Sequence, residues 1–484
     1  MGLRKSIKKI KTRITKILEK IDEKLEKFKL SDRVYWIFVG LLFGWLLFQL
    51  VYFAVNVRYN IIPDEIHHYK VIHFYLGKKD LLPFISDQGG QFFFGELTRN
   101  PSYLYHYIAS LLLRIPGFLQ REFLVLRTFS IVMSAASFVT FVMILEELTN
   151  RKYLKLLSIF IYTNTLMLVF TGMGISYDVP LNLMSLISIL LLIKIFKTYE
   201  IKYLLIFFIV GFFSSLIKFT YAPLFFIQTI FILGAYINAG KFNIRELMRE
   251  AWQMPKWLLG LIVIIGLLSF GLFAEKYLVN LVKYQALVPA CEEIHTHEEC
   301  MQNGVYERNY YFKADPGPDR YMSMLVFIPR YAIRAAETVF GLTAHLDLGV
   351  AKVTAYGMLA IFAAGVILFL NSKLKGKNRF YVVLMSISVF YIGVVMANNY
   401  FFLSEFGWFG VALQGRYIFP VYPIFLFLTN FYLFDFLKYR LLKIIYTMFL
   451  VIILVTGGFM YFMRNAGPEW FGPDDSSQPW AHLE

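Results

Sequence analysis

Two adjacent carboxylates, Asp64 and Glu65, follow the first long apolar run (Val34 to Val57), with His67 and His68 directly behind them. Carboxylates beside a membrane surface are costly to desolvate, so each needs a cation, a proton or a substrate. A carboxylate placed there can take the proton of an attacking hydroxyl or hold a cation. Two neighbouring carboxylates also disfavour joint ionisation, which raises one pKa toward the working pH. The structural alternative is Asp64 as the cap of a helix over 64–76. Capping accounts for one acid, not for two acids followed by two histidines. A catalytic role is therefore assigned to Asp64 and Glu65.

Other ionisable groups stand at the ends of apolar runs. Asp178, in Ser176-Tyr177-Asp178-Val179-Pro180, reads equally as a ligand and as a helix cap with Pro180 in the first turn. Arg416, in Gln414-Gly415-Arg416-Tyr417, presents a planar fork suited to phosphate, and Gly415 would let a headgroup approach the backbone. Its alternative is interfacial snorkelling beside Tyr417 and Phe419. Lys218, close to Tyr221, could bind a lipid phosphate or pair with Asp178. The substrate-binding set is Arg416, Asp178, Lys218, Arg99, Tyr417, His67 and His68. Glu405, His73 and His106 are lesser candidates, and a histidine near an interface is more often a hydrogen-bonding neighbour than a ligand.

Membrane elements must position these residues. Of 484 residues, 58% are hydrophobic and 18% aromatic, too apolar for an ordinary soluble globule. Apolar runs of roughly 17–22 residues, each able to cross about 30 Å of hydrocarbon, recur along the chain. They predict an all-α, polytopic transmembrane protein with eleven spans, at 34–56, 124–145, 155–173, 178–196, 203–219, 221–237, 257–274, 350–370, 380–398, 417–434 and 443–462. With the N-terminus in the cytoplasm every short inner loop is basic. Arg151, Lys152 and Lys155, then Lys194, Lys197 and Lys202, then Lys241, Arg245 and Arg249 fall inside. So do Lys373, Lys375, Lys377 and Arg379, and Lys438, Arg440 and Lys443, as the positive-inside rule requires. The net charge of +15 thus belongs to the inner face and points to anionic lipid rather than nucleic acid.

The segments outside the spans read as follows. Residues 1–33 form a basic amphipathic cytoplasmic helix, with Ile7, Ile10, Ile14, Ile17, Ile21, Leu25 and Phe28 on one face and eleven Lys/Arg within its first 30 residues. It suits an anionic lipid surface or a coiled-coil partner. The long charged start does not read as a removable signal peptide. In the first outer loop, 57–123, the apolar stretch 101–117 is expected to lie on or dip into the outer leaflet, because counting it as a span would turn Arg151 and Lys152 outward. The largest outer loop, 275–349, holds the only cysteines, Cys291 and Cys300, expected to pair as a disulfide on the oxidising side. His295 and His297 beside Glu292 and Glu299 match no specific metal signature, and no metal is assigned there. The stretch 321–345 reads as a second surface-lying helix, and 463–484 as an outer tail. No phosphate-cradling glycine loop, nucleophile elbow or zinc-protease motif is present.

Four stretches together resemble a family of multi-pass membrane proteins related to glycosyltransferases of the GT-C type: PDEIHHY (63–69), NPSYLYHYIASLLLRI (100–115), SYDVPLNLMSL (176–186) and LQGRYIFPVYPIFLF (413–427). The second resembles a GT-C outer-loop helix that commonly opens His-Pro-Pro; here Asn100-Pro101-Ser102 departs from it. The resemblance implies an inverting transferase of the plasma (inner) membrane of a prokaryotic cell envelope, with its active site on the extracytoplasmic face. It would take a sugar from a polyprenyl-phosphate carrier and pass it to a glycan, lipid or protein acceptor. The first-loop acid Asp64 would be general base, with Glu65 tuning its pKa or holding a divalent cation, and Arg416 would contact the carrier phosphate. Three other readings stay open: a transporter or flippase of a lipid-linked sugar, a glycan polymerase or ligase, and a non-catalytic envelope assembly subunit.

Overall fold

Segments with no polar face have one economical structure in lipid, the helix, which satisfies its own backbone. The computed structural model describes residues 16, 19, 30–59, 61–77, 99, 102–302, 304–343, 346–373, 379–409 and 413–471. Most of the helix expected over 1–33, the residues Asn100 and Pro101, and most of the tail 463–484 lie outside the described residues.

The helices that build and position the site are α1 (Asp32–Asn56), α2 (Glu65–Gly77), α3 (Leu104–Leu113), α4 (Glu122–Leu148), α5 (Lys152–Thr163) and α6 (Leu166–Gly172). They continue as α7 (Asp178–Thr198), α8 (Ile201–Ile217), α9 (Ala222–Asn238), α10 (Ile244–Gln253), α11 (Lys256–Phe273) and α12 (Gly304–Ala314). The last are α13 (Met324–Phe340), α14 (Lys352–Lys373), α15 (Arg379–Phe406), α16 (Tyr422–Phe436), α17 (Arg440–Gly457) and α18 (Phe459–Asn465). Among the described residues, strands amount to one antiparallel pair, Leu342–Thr343 with Asp347–Gly349. Eight helices there are long and apolar enough to cross a membrane, or nine if α5 and α6, bent by 63° at their junction, count as one. The protein is a helical, multi-pass membrane protein.

The span expected at 417–434 is shorter than its apolar run suggested: α16 has 15 residues, roughly 22 Å at 1.5 Å per residue. α8 has the 17 residues expected of the run 203–219, displaced by two positions. The run expected to open at 417 starts its helix only at Tyr422, because the chain first makes a tight turn over Gly415–Ile418 that aims Arg416 inward. The stretch 101–117 is likewise corrected. Its helix is the ten-residue α3, most of it buried, packed against α2 and α8 rather than laid on a surface. In the large loop α13 buries Phe327, Tyr331 and Val339 while Leu325 is 85% exposed, so the helix is one-sided.

The two ends of the bundle differ in chemistry. At one end Lys152 pairs with Asp32 (2.8 Å), Lys155 with Glu146 (2.5 Å), Lys197 with Glu147 (2.7 Å) and Arg151 with Asp435. α7 rises from that end through 21 residues, about 30 Å, and presents Asp178 at the other.

At that second end the first loop is locked to the core by Arg127 of α4. Its Nε and Nη2 donate to the two Glu65 oxygens (2.9 and 2.8 Å). Nη1 donates to the Ala54 and Val57 carbonyls (2.9 Å each), and Nη2 also reaches the Arg58 carbonyl at 3.3 Å. Ala54 belongs to the last turn of α1, where carbonyls lack a helical partner, and Val57 and Arg58 follow directly after the helix. Both side chains are essentially without solvent, at 1% and 0% exposure. Glu65 also accepts from the Ile175 backbone N–H at 3.3 Å, joining the α6–α7 link to the same knot. Breaking a buried pair from one side costs about 3–5 kcal/mol, because the other charge stays buried. Arg127→Met is therefore expected to lower the melting temperature in detergent sharply, and adding Glu65→Leu to recover part of the loss. Melting of Arg127→Met at the wild-type temperature, followed by size-exclusion thermal shift, would refute the lock.

Candidate functional site

The chain brings Asp64, Asp178, Lys218 and Arg416 together from four separate elements. Asp64 ends the turn before α2, Asp178 opens α7, Lys218 closes α8, and Arg416 sits in the turn before α16. Asp64 holds φ at +60°, the left-handed region that Asp tolerates better than most residues. That conformation turns its carboxylate to Arg416 rather than into a helix cap, so the capping alternative does not describe it. Arg416 Nη2 donates to Asp64 Oδ2, and Nη1 reaches the Pro63 carbonyl at 3.4 Å. Lys218 Nζ donates to Asp178 Oδ1 at 2.6 Å. Between the two pairs, Arg416 Nε and Asp178 Oδ2 face each other at 3.6 Å, each buried with no hydrogen-bond partner. Aromatic faces complete the enclosure: Lys218 lies 4.4 Å over the Tyr177 ring and 4.7 Å over that of Tyr417.

The side chain of Asp64 is 35% exposed and that of Arg416 only 3%, so the acid forms the accessible edge of the cluster and the guanidinium its floor. Burial disfavours ionisation of Asp64, but Arg416, with His67 and Lys218 nearby, outweighs it and holds the carboxyl below the usual range. A pKa raised toward neutrality by Glu65, the sequence expectation, is thus not what the geometry produces. Glu65 is turned away into Arg127. Burial alone would weaken the protonated forms of Arg416 and Lys218, yet Asp178 leads the charges that hold both cations above their ordinary pKa.

The sequence left two contributors unnamed. Arg308 of α12 is half-buried, and its desolvation lowers its pKa although the charges of Tyr417 and Asp64 act against that shift. Nothing in its sequence neighbourhood marks it, since the contact exists only because the large loop folds over the site. Arg127 was hidden inside an expected span. Gly415 has a different task from the one expected of it. A Cβ there would stand 2.6 Å from the Ala335 carbonyl and 2.8 Å from Thr338 Oγ1, so its bareness serves the close packing of α13, whose Thr338 also accepts the Gly415 N–H at 2.7 Å.

Other expected residues lie apart from this cluster. Arg99 pairs with Glu275 at 2.9 Å, and its carbonyl accepts from Asn280 at 3.0 Å and Lys276 at 3.3 Å. Glu405 pairs with Lys313 on the exposed loop. Cys291 and Cys300 are joined in a disulfide. His68 and His106 form a buried ring pair, Nδ1 to Nε2 at 2.9 Å, with His68 4.3 Å from the Tyr177 ring. His67 is the histidine whose charge is felt by Asp64. Among the described residues no group of three or more His, Cys, Asp or Glu is arranged to hold a metal ion.

The cluster sets two cations, Arg416 and Lys218, against two carboxylates, and the central guanidinium has an unused donor. In comparisons with known proteins, the chain matches no family model and no curated protein.

The ring pair gives the site a pH signature. Burial pushes the His68 pKa well below its usual value and that of His106 to about 3. Above about pH 6.5 neither the folded nor the unfolded chain protonates these rings. Below it the unfolded chain takes up protons that the buried rings refuse, so stability falls with pH. The melting temperature is expected to drop between pH 7 and about pH 5, and His106→Gln to flatten that slope. A wild-type profile that stays level across this window would refute the assignment.

Proposed function

We propose that the chain is a membrane glycosyltransferase that moves a sugar from a polyprenyl-phosphate carrier to an acceptor hydroxyl on the outer face of the plasma membrane. One observation carries the reading. A buried guanidinium, Arg416, is shared between two carboxylates at the end of the bundle opposite the basic loops, with Lys218 on the second carboxylate. An apolar carrier with a phosphate head is the donor whose charge such a floor would receive at the membrane boundary. The basic loops support a cytoplasmic position for their end. Taking the bent α5–α6 pair, α8 and α16 as crossings gives the eleven that this alternation requires.

The chemistry follows from the arrangement. The acceptor O–H gives its proton to an Asp64 oxygen while its oxygen attacks the anomeric carbon. The bond from that carbon to the phosphate oxygen breaks, and its electron pair leaves on the carrier phosphate. A single displacement inverts the anomeric centre. The leaving phosphate needs cations rather than a proton, and Arg416 and Lys218 supply them. Asp64 cannot serve as counterion to Arg416 and as base at once. The donor phosphate resolves the conflict by taking the guanidinium, which removes the main charge holding the Asp64 pKa down. Glu65 is a positioning residue here, fixing the turn that carries Asp64.

A second reading, transport of a lipid-linked sugar, draws support from the 63° break between α5 and α6, since broken helices line transport sites. The purified protein, given a panel of polyprenyl-phosphate sugars and candidate acceptors, separates the two. Transferase activity is expected to fall about 10²–10⁴-fold in Asp64→Asn with donor binding retained. Arg416→Ala should lose donor binding as well. Donor binding without turnover, equal in wild type and Asp64→Asn, would overturn the transferase reading in favour of transport or an assembly role.

A further inference from the structure

α9 returns the chain to the basic end of the bundle, where Tyr236 donates to the Tyr199 carbonyl at 3.1 Å. Only the seventeen residues 239–255 then join it to α11, and both neighbours belong to helices long and apolar enough to cross a membrane. Within that link α10 starts at a cap, the Asn243 side chain accepting the Arg245 backbone N–H at 3.0 Å. It stops before Pro255, and Lys256, the first residue of α11, donates to the Trp252 carbonyl at 2.8 Å. A ten-residue helix is thus pinned at the plane where two crossing helices end.

Its apolar side chains recur at 244, 247, 248, 251 and 252, the three- and four-residue steps of one face, yet none of its residues is buried. Leu247 packs on the core, while Ile244, Met248 and Trp252 stay 67%, 56% and 63% exposed. Successive residues turn by roughly 100°, so Arg245 and Arg249 border that exposed row and Glu246 and Glu250 fall on the far side. The charge of Glu250 is felt at Tyr236 of α9, on the side of the bundle. Among the described residues neither arginine side chain makes an ion pair or hydrogen bond. Ile237 in the last turn of α9 and Trp257 in the first turn of α11 flank the helix in sequence and are 63% and 73% exposed.

We propose that α10 seats on the membrane leaflet at the basic end, with Ile244, Met248 and Trp252 among the acyl chains and Arg245 and Arg249 on the phosphates of anionic lipid. An apolar row bordered by arginines, with a tryptophan at its end, is the pattern of a helix that lies in the interfacial plane. Trp257 belongs to a crossing helix and meets lipid, so a water-soluble partner laid on Trp252 would run into the bilayer beside it. The glutamates, turned to the far side, are kept off the negative surface. This seat is independent of the transfer proposed at the opposite end of the bundle.

The chain has no cysteine beyond the bonded Cys291 and Cys300, so Met248→Cys and Glu250→Cys each take a single nitroxide label in the full-length protein. In vesicles of equimolar phosphatidylglycerol and phosphatidylcholine, oxygen and a water-soluble nickel chelate compete to relax the label. Position 248 is expected to favour oxygen, and position 250 the chelate. Each arginine near an anionic surface contributes about fivefold, so adding Arg245→Gln with Arg249→Gln is expected to lower the seated-to-free ratio of the 248 label about twentyfold. In phosphatidylcholine alone the same pair of substitutions should change that ratio little. Free access of the chelate to position 248 would put the row in water and overturn the proposal. Exclusion of both agents would mean that protein covers the row, whether a second copy, another polypeptide or this chain's residues 1–29, and would overturn it as well. So would a ratio that the double variant leaves unchanged in phosphatidylglycerol, since the arginines would then hold no lipid phosphate.

Discussion

A guanidinium removed from water must aim each of its five N–H groups at a protein acceptor, and Arg127 does so. Two bonds go to Glu65 and three to carbonyls at the end of α1 and just beyond it. This arrangement does three things at once. It ends α1 by satisfying carbonyls that have no partner within the helix, it ties α1 to α4, and it sets the direction in which the chain leaves for α2. The turn carrying Asp64 is therefore defined by its neighbour in sequence. Gly174 contributes to the same corner, since a Cβ there would meet Ile62 at 2.6 Å. With the turn fixed, Asp64 has one direction open to it, toward Arg416.

The contrast between the two buried arginines separates scaffold from site. Arg127 is saturated, and no ligand could improve its surroundings. Arg416 is not: Nε has no acceptor, one bond to Pro63 is long, and the remaining partner is an acid that reaches solvent. An unsatisfied buried donor costs about 1–3 kcal/mol, more for a charged group. An anion entering past Asp64 would remove that cost. The same reasoning explains why Lys218, paired at 2.6 Å and enclosed by two tyrosine rings, reads as a fixed neighbour of the floor rather than its mobile part.

Much of this was legible in the sequence, for a physical reason. Membrane burial makes isolated charges rare, so Asp64, Asp178, Lys218 and Arg416 stood out individually, and the charge rule put them at one end. What the sequence could not carry was pairing at distance. Glu65 and Arg127 are separated by 62 positions, and an arginine within an apolar run gives no sign of which acid it serves. Glu65 was consequently read with Asp64 as a pair, whereas the backbone sends the two side chains to different arginines. Arg308 was invisible for the same reason, because the fold of the large loop decides what it faces. The start of α16 was misplaced where tertiary demands cut the apolar run short: Tyr422 opens the helix only after the turn that delivers Arg416 is complete.

Under the proposed transfer, the low pKa of Asp64 becomes part of the control rather than an obstacle. A carboxylate bonded to a guanidinium is a weak base, and in the absence of donor it leaves an acceptor hydroxyl or a water molecule untouched. The donor phosphate and Asp64 compete for the same Nη2, so arrival of the phosphate and release of the base are one event. Basicity then appears only when the bond to be broken is in place, which disfavours idle hydrolysis of the carrier sugar. The strained φ of Asp64 fits this division, because a residue held by its neighbours against its own preference keeps its position when its partner is taken away. The arginine that saturates Glu65 thereby keeps the base at its post while the other arginine changes partners.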